Sequence, residues 1–264
     1  MKILIVAVNY NTYPALYDYL SKVEESLDSC SIPIDLKVIV ADNSTRREDV
    51  DVEKYKRLNL EERIFDNLGY LGAAQTVINS LDDVTIYDYV AISNVDLSLD
   101  KTFFENLVSR EFPKETGWIA PSIYSLQEGR DKKKLTRSPR WRFTIMMLIY
   151  KYPLLYSLYY ATVYKRRRAS ADVIDECDVY AGHGAFILLT KRFFKTYKTL
   201  NYPVFLFCEE NYIAELIQRG GMTVRYVPTL KIWDSEHISV GKINIKRQCK
   251  LNYEALKYIR NNFY

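Results

Sequence analysis

Asparagine and aspartate side chains follow directly on four apolar runs, and such residues could contact a polar ligand through their amide and carboxylate groups. The run VAIS is followed at once by Asn94, Val95 and Asp96. Similar polar ends recur in the N-terminal part of the chain, giving the set Asn9, Asn11, Asp42, Asn43, Asn67, Asn94 and Asp96. Asn and Asp also cap helices and form turns without any ligand, so both interpretations stay open at this level.

The apolar runs are typical of buried parallel strands. They read ILIVAV from Ile3, LKVIVA over 36–41, RIF before Asp66, and YVAIS before Asn94. Helical patterns alternate with them, one starting at Thr12 to Pro14 and one predicted over 71–81. This alternation predicts an α/β fold with a Rossmann-like, mostly parallel central sheet and helices on both faces. Ligands of such sheets bind beyond the carboxyl ends of the strands, where the polar residues would lie.

The composition indicates one globular domain. A chain of 264 residues can form one sizeable core, and 48% hydrophobic with 27% charged residues excludes a disordered protein. Cysteines stand at 30, 177, 208 and 249 without CxxC spacing, and no secretory segment opens the chain. We therefore expect neither a disulfide framework nor a zinc cluster, and a cytoplasmic location.

One segment is strongly basic. Between Arg130 and Arg168 there are twelve Lys and Arg but only Asp131 as an acid, a local charge of +11 within a chain of net charge +4. The run 141–164 inside it is rich in apolar residues, yet it contains Lys151, Pro153 and six tyrosines. Tyrosines and flanking cations favour one or two amphipathic helices on an anionic membrane surface over a membrane span. A buried helical pair is the alternative, and no motif for nucleic-acid binding accompanies the basic residues.

Seven sequence blocks, in order, resemble family 2 glycosyltransferases, which have the GT-A nucleotide-sugar fold. The blocks are VNYN (8–11), ADNS (41–44), DNLGYLGA (66–73), SNVD (93–96), GHGAFILLTKRFF (182–194), FLFCEENYIAELIQRGG (205–221) and YVP (226–228). The resemblance implies a single GT-A catalytic domain over 1–264. Its parts would be a nucleotide-binding half (1–122), the basic amphipathic insertion (130–170), an acceptor and catalytic half (176–240) and a C-terminal helix (243–264).

The resemblance also implies roles for the polar strand ends. Asp42 matches the position that reads the edge of a uracil or thymine base, since a carboxylate can accept a hydrogen bond from the ring N–H. The other residues expected around the nucleotide are Asn9, Asn11, Asn43, Ser44, Asn67, Gly69 and Asn94. Gly182, His183 and Gly184 resemble the loop that contacts donor and acceptor.

A divalent cation, Mn²⁺ or Mg²⁺, is the implied cofactor. It would offset the charge of the leaving diphosphate, and such hard cations take oxygen ligands. Asp96 matches the metal-binding end of the family's Asp-x-Asp or Asn-x-Asp motif. Near a later family position for a metal-binding histidine, the alignment leaves both Asp234 and His237 open as the further ligand.

Glu209 and Glu210 match the family's acidic pair at a helix start. The resemblance implies that Glu210 is the general base of an inverting transfer and that Glu209 orients the site or meets donor hydroxyls. An acidic pair also favours a helix N-terminus through the helix dipole alone. The pair of glutamates resembles the branch that acts on bacterial capsular and other surface polysaccharides.

The predicted partners are a UDP- or dTDP-sugar donor, a polyprenyl-diphosphate-linked glycan acceptor and the inner face of the cell membrane. Two other functions remain open. One is a membrane-docked scaffold that has lost turnover. The other is a sugar-phosphate nucleotidyltransferase, although no Gly-rich, Arg- and Lys-containing phosphate loop follows the first strand.

Overall fold

One mixed sheet runs through the part of the chain that the computed structural model describes, residues 1–126, 129–131, 133, 136–164, 174–234 and 244–264. Its strands are β1 (Lys2–Asn9), β2 (Asp35–Asp42), β3 (Leu60–Ile64), β4 (Tyr89–Asn94), β5 (Leu97–Leu99), β6 (Thr116–Ser125), β7 (Arg130–Asp131), β8 (Cys177–Val179), β9 (Phe186–Thr190) and β10 (Thr223–Asp234).

Helices connect and cover these strands. They are α1 (Tyr13–Asp28), α2 (Tyr70–Asn79), α3 (Phe103–Val108), α4 (Arg140–Lys151), α5 (Pro153–Tyr159), α6 (Lys191–Thr196), α7 (Glu209–Arg219) and α8 (Ile245–Phe263). Short 3₁₀ turns cover Val52–Leu58 and Val84–Ile86, and a π-helical turn over Tyr160–Tyr164 follows α5. The predicted start of α1 holds, but the Thr12 hydroxyl donates to Asn9 Oδ1 instead of capping the helix.

The main strand order is β3-β2-β1-β4-β9-β6-β10-β5, with β7 beside β6 and β8 beside β10. Neighbours among β1 to β4 run parallel, and so do β6 and β10, whereas β9 runs antiparallel to both β4 and β6. The predicted α/β, Rossmann-like sheet with helices on both faces is confirmed. Parallel pairing brings the carboxyl ends of β1, β2 and β4 to one edge of the sheet, so the polar residues that follow these strands lie at the same edge, as the sequence predicted.

The continuous apolar character of β1 has a direct cause in this architecture. Leu4 and Val6 pack into the core on one face of the sheet, whereas Ile3, Ile5 and Ala7 pack into the core on the other. Because successive side chains of a strand point to opposite faces, a strand covered by helices on both sides needs apolar residues throughout.

The described part of the basic segment contains β7 and, after it, α4, α5 and the π-helical turn. Within α4 only Phe143 is buried, against the Tyr264 ring, and α5 has no buried residue. Large apolar side chains are exposed along both helices, including Leu148 at 55%, Leu154 at 87% and Leu158 at 62%. The alternative of a buried helical pair is therefore wrong for α4 and α5. Among the described residues, no helix is long and apolar enough to cross a bilayer.

Arg137 anchors the start of this segment to α7 and α8. Its guanidinium donates two hydrogen bonds of 2.8 Å to the two oxygens of Glu215 on α7, and a third of 2.7 Å to the Phe263 carbonyl at the end of α8. The Glu215 carboxylate is buried and also accepts a hydrogen bond from the Tyr180 hydroxyl. This bidentate pair holds α4, α7 and α8 in one arrangement.

Gly69, just before α2, contacts the segment that leads into α7. Its φ is +79°, and a β-carbon at this position would lie 1.8 Å from the Phe205 carbonyl oxygen. The Gly69 carbonyl in turn accepts a 2.9 Å hydrogen bond from the Asn43 side chain at the end of β2. Only glycine fits here, because both the backbone conformation and the close approach exclude a side chain.

We predict that Gly69→Ala lowers the free energy of unfolding by about 2 kcal/mol or more, since it combines backbone strain with a steric clash. Gly221→Ala is the matched control, because Gly221 has a φ of +61° with no atom near its missing β-carbon. Chemical denaturation followed by circular dichroism measures both variants. Equal destabilisation of the two would show that the Phe205 contact does not constrain the fold.

Candidate active site

A cavity of about 630 Å³ opens at the carboxyl edge of the sheet. One side is built from strand ends and the turn before α2, the second from the loop before β9, and the third from the segment leading into α7. Helices α4 and α8 complete the wall. The predicted site residues that line it are Asn43, Asn67, Gly69, Asn94, Asp96, His183, Gly184, Glu209 and Glu210.

Asp42 lies behind this wall and is fully buried. Its Oδ1 accepts hydrogen bonds from the Asn9 amide and from Ser44, and its Oδ2 accepts one of 2.7 Å from the Tyr13 hydroxyl. In this structure Asn9, Asp42 and Ser44 therefore organise the turn after β2 and do not line the cavity. The predicted contact of Asp42 with a base stays a prediction, and it requires these internal partners to rearrange.

Asn43 is the residue that this turn presents to the cavity. Its side-chain amide donates to the Gly69 carbonyl, and its oxygen accepts from the Leu68 backbone N–H, so it ties the end of β2 to the next turn. Asn67 closes that turn by accepting from the Gly69 N–H at 3.2 Å. Asn11 has a left-handed φ of 54° and lies outside the cavity. Its side-chain oxygen accepts hydrogen bonds from the backbone N–H groups of Thr45 and Arg46 in the loop after β2.

Asn94 ends β4, and Asp96 stands between β4 and β5, so both reach the cavity. The Asn94 N–H donates to the Ala185 carbonyl at 2.8 Å, which joins this strand end to the loop before β9. The chain bends at Val95 and Asp96, between β4 and β5, and this bend faces the cavity. Its role in ligand binding stays a prediction.

Of the candidate metal ligands within the described residues, Asp96 lines the cavity and Asp234 does not. Asp234 ends β10 opposite Leu97, the residue after Asp96, but it is 5% exposed and does not line the cavity. His237 lies outside the described residues. Within the described part of the chain, no group of three His, Cys, Asp or Glu could hold a metal ion. The oxygen donors present fit a cation bound through Asp96 and completed by substrate phosphates, which is how Mg²⁺ is commonly held.

Glu209 and Glu210 begin α7 after an unusual turn. Phe207 and Cys208 both have left-handed φ values, 78° and 62°, and such strain is concentrated at functional sites. Glu209 closes the turn by accepting a 2.8 Å hydrogen bond from the Phe207 N–H. Glu210 instead extends towards Gly184, where a β-carbon would lie 3.0 Å from its Oε2.

The loop before β9 meets the acidic helix start. Gly184 leaves room for the Glu210 carboxylate, and the His183 Nδ1 accepts a 3.2 Å hydrogen bond from the Ala185 N–H. Gly182 does not line the cavity. A β-carbon there would lie 2.8 Å from the Ala120 β-carbon and 2.9 Å from the Trp118 ring, so the glycine serves close packing in the core.

Tyr70 belongs to the cavity wall although the sequence did not single it out. Its hydroxyl donates a 3.1 Å hydrogen bond to the Ala185 carbonyl. Removal from water, followed by the negative charge of Glu209, raises the pKa of the Tyr70 phenol well above its usual range. The phenol therefore stays protonated, as a fixed donor beside the acidic residues.

Helices α4 and α8 contribute residues that sequence reasoning also missed. Ser138, Arg142, Phe143, Met146 and Tyr150 line the cavity from the insertion, and Arg247, Asn252 and Leu256 line it from α8. The spacing of Arg142, Met146 and Tyr150, four residues apart, marks one face of a helix and was the available signal. Only the packing of α4 on α8 shows that this face looks into the cavity.

Neither a protein-family model nor a curated protein matches the chain by sequence. Solved structures do match it by fold. TarS 1-349 from S. aureus in complex with UDP-GlcNAc has a TM-score of 0.58 at 10% identity, over 100% of this chain and 71% of that one. GalNAc-T7 with UDP, GalNAc and Mn²⁺ has a TM-score of 0.58 at 12% identity, over 100% and 50%.

A third similar structure is the mannosyltransferase PcManGT from Pyrobaculum calidifontis, in complex with GDP-Man and Mn²⁺. Its TM-score is 0.54 at 13% identity, over 97% of this chain and 69% of that one. Against the longer S. aureus TarS chain, the present chain spans only 37% of the neighbour's length. At these identities the likeness concerns the fold, and the conclusion is that this chain has the GT-A fold of nucleotide-sugar glycosyltransferases.

Proposed function

We propose that this chain is an inverting glycosyltransferase of family 2 that transfers a sugar from a UDP- or dTDP-sugar to a hydroxyl of a lipid-linked glycan. The observation that carries the proposal is the cavity that holds Asn94 and Asp96 on its strand-end side and Glu210 at the start of α7. The GT-A fold supports the donor class, because the similar structures hold UDP-GlcNAc and GDP-Man.

The donor is assigned to the strand-end side of the cavity. Asn43, Asn67 and Asn94 offer amide groups there for ribose and phosphate oxygens. A Mn²⁺ or Mg²⁺ ion held by Asp96, with Asp234 or His237 as a further candidate ligand, would supply positive charge to the leaving diphosphate. The presence of Mn²⁺ in GalNAc-T7 and PcManGT supports this cofactor.

Glu210 is assigned as the general base. Its carboxylate lies beside Gly184, and both residues line the cavity in which an acceptor hydroxyl would have to bind. Removing the proton of that hydroxyl as it attacks the anomeric carbon gives inversion in a single displacement. Glu209 accepts a hydrogen bond from the Phe207 N–H and so stabilises the turn that precedes Glu210, and the Tyr70 phenol supplies a neutral donor nearby.

The exposed apolar side chains of α4 and α5 are assigned to the inner face of the cell membrane. Leu148, Leu154 and Leu158 gain free energy on leaving water, and the charge of +11 over 130–168 complements anionic headgroups. Peripheral binding there would bring the cavity to a polyprenyl-diphosphate-linked glycan. This supports a role in bacterial surface-polysaccharide biosynthesis.

Asp96→Ala is expected to weaken Mn²⁺-dependent UDP binding at least about tenfold, because a carboxylate ligand of the shared cation is lost. Isothermal titration calorimetry with UDP, dTDP, GDP and ADP, with and without Mn²⁺, measures it. Asp82→Ala, an exposed carboxylate outside the cavity, is the control. Unchanged UDP binding in Asp96→Ala would remove Asp96 from the donor site.

Glu210→Gln is expected to lower the release of UDP from UDP-sugars by about 10² or more, while UDP affinity stays within about twofold. Glu254→Gln on α8, exposed and outside the cavity, should keep full turnover. Full turnover in Glu210→Gln would exclude the base assignment. A wild-type chain that binds UDP but never releases it from any UDP-sugar would favour the scaffold function.

The triple variant Leu148→Ser, Leu154→Ser and Leu158→Ser is expected to lose vesicle binding at least about tenfold, since each leucine contributes roughly 1.5 kcal/mol or more when buried. Co-sedimentation with phosphatidylglycerol–phosphatidylcholine vesicles measures it. Ile64→Ser with Ile86→Ser is the control, because both isoleucines are similarly exposed elsewhere. Equal binding of the two variants would count against docking through α4 and α5.

A further inference from the structure

Two arginines that lie outside the seven sequence blocks line the cavity wall. Arg142 comes from α4 and Arg247 from the first turns of α8, and both side chains line the cavity that Asp96, Glu209 and Glu210 also line. Among the described residues, no carboxylate forms a salt bridge with either guanidinium. Arg137, by contrast, is held by Glu215 and serves the packing of the helices.

Their placement is fixed by the fold. Helices α4 and α8 pack against each other, and the Phe143 and Tyr264 rings meet with their centroids 4.8 Å apart. The packed helices α4 and α8 therefore place two guanidinium groups at the wall of one cavity. Guanidinium is the side-chain group best suited to phosphate, because its planar set of donors matches two phosphate oxygens at once.

Apolar groups share this wall with the arginines. Phe143, Met146 and Tyr150 on α4 and Leu256 on α8 line the cavity between and beside them. The outer side of α4 continues into the exposed apolar surface that includes Leu148. A ligand that satisfies both features carries an anionic group and an apolar chain.

We propose that Arg142 and Arg247 form an anion subsite that binds the phosphate of an amphiphilic acceptor, a prenyl-phosphate-like lipid whose chain follows α4 towards the bilayer. The inference deepens the proposed function by naming the residues that would bind the acceptor's phosphate, and it rests on that function for the transfer itself. The same phosphate chemistry also belongs to the donor's diphosphate, so the experiment separates the two sources.

The test compares Arg142→Ala/Arg247→Ala with Arg140→Ala/Lys246→Ala. The second pair removes the same charge from the same two helices, at exposed positions that do not line the cavity. Binding of farnesyl phosphate and of uncharged farnesol, both in detergent micelles, and of UDP with Mn²⁺ is measured by calorimetry. Thermal unfolding checks both variants, and Arg142→Lys/Arg247→Lys replaces the alanine pair if that pair does not fold.

We expect the Arg142→Ala/Arg247→Ala variant, the cavity pair, to bind farnesyl phosphate at least about tenfold more weakly than wild type, because two charge-assisted contacts are lost. The control pair should bind it within about twofold of wild type, and farnesol binding should be equal in all variants. A selective loss of UDP affinity would instead assign the subsite to the donor's diphosphate.

Two results would overturn the subsite. One is that the wild type and the Arg142→Ala/Arg247→Ala variant bind farnesyl phosphate with equal affinity and also bind UDP with equal affinity. The other is a loss of farnesol binding as large as that of farnesyl phosphate, since this would reflect packing and not charge. A wild-type protein that binds farnesyl phosphate through these arginines but binds no nucleotide would retain the subsite while removing the proposed transfer.

Discussion

The close approach of the Gly69 backbone to the Phe205 carbonyl is the contact on which the cavity depends. It joins the strand-end turns, which carry Asn43 and Asn67, to the left-handed turn that starts α7. Phe207 and Cys208 adopt unfavourable backbone angles in that turn, and the surrounding packing must hold them there. The carboxylates of Glu209 and Glu210 are consequently held in the cavity that Asp96 also lines by backbone contacts, which are less adjustable than side-chain contacts.

The cavity combines acidic and basic walls, as binding of the proposed diphosphate donor would require. Asp96, Glu209 and Glu210 would repel a diphosphate on their own, and a cation bound at Asp96 would offset that repulsion only nearby. Arg142 and Arg247 bring positive charge from the helical side. Charge of both signs around one cavity would allow an anionic ligand group to bind beside the carboxylate that we propose as the base.

The insertion serves two surfaces at once. Its inner face supplies Phe143 and Arg142 to the cavity, and its outer face leaves Leu154 and Leu158 in water. Exposed leucines on a short amphipathic helix gain nothing for the isolated fold, because their burial free energy is not realised. The Arg137–Glu215 pair fixes the inner face against α7, so a ligand on the outer face would be held at a constant distance from Glu210.

Much of the architecture followed from local pattern. Apolar runs with polar ends and alternating helices were enough to predict the sheet and the edge at which Asn43, Asn94 and Asp96 meet, because strand polarity determines which end faces the cavity. The acidic pair Glu209 and Glu210 likewise predicted the start of a helix, and α7 begins there. Pattern could not separate the Asp42 carboxylate, whose hydrogen bonds are satisfied internally, from Asn43 next to it, which reaches the cavity.

Only the tertiary structure decided which residues far apart in sequence share the site. Arg142 and Arg247 lie outside the seven sequence blocks and Tyr70 was not singled out within its block, yet all three line one cavity because α2, α4 and α8 pack around it. The sequence by itself determined the GT-A type of sheet and the chemistry available at its edge. The structure decided the opposite wall, because helix-to-helix contacts depend on side chains that meet only after the chain has folded.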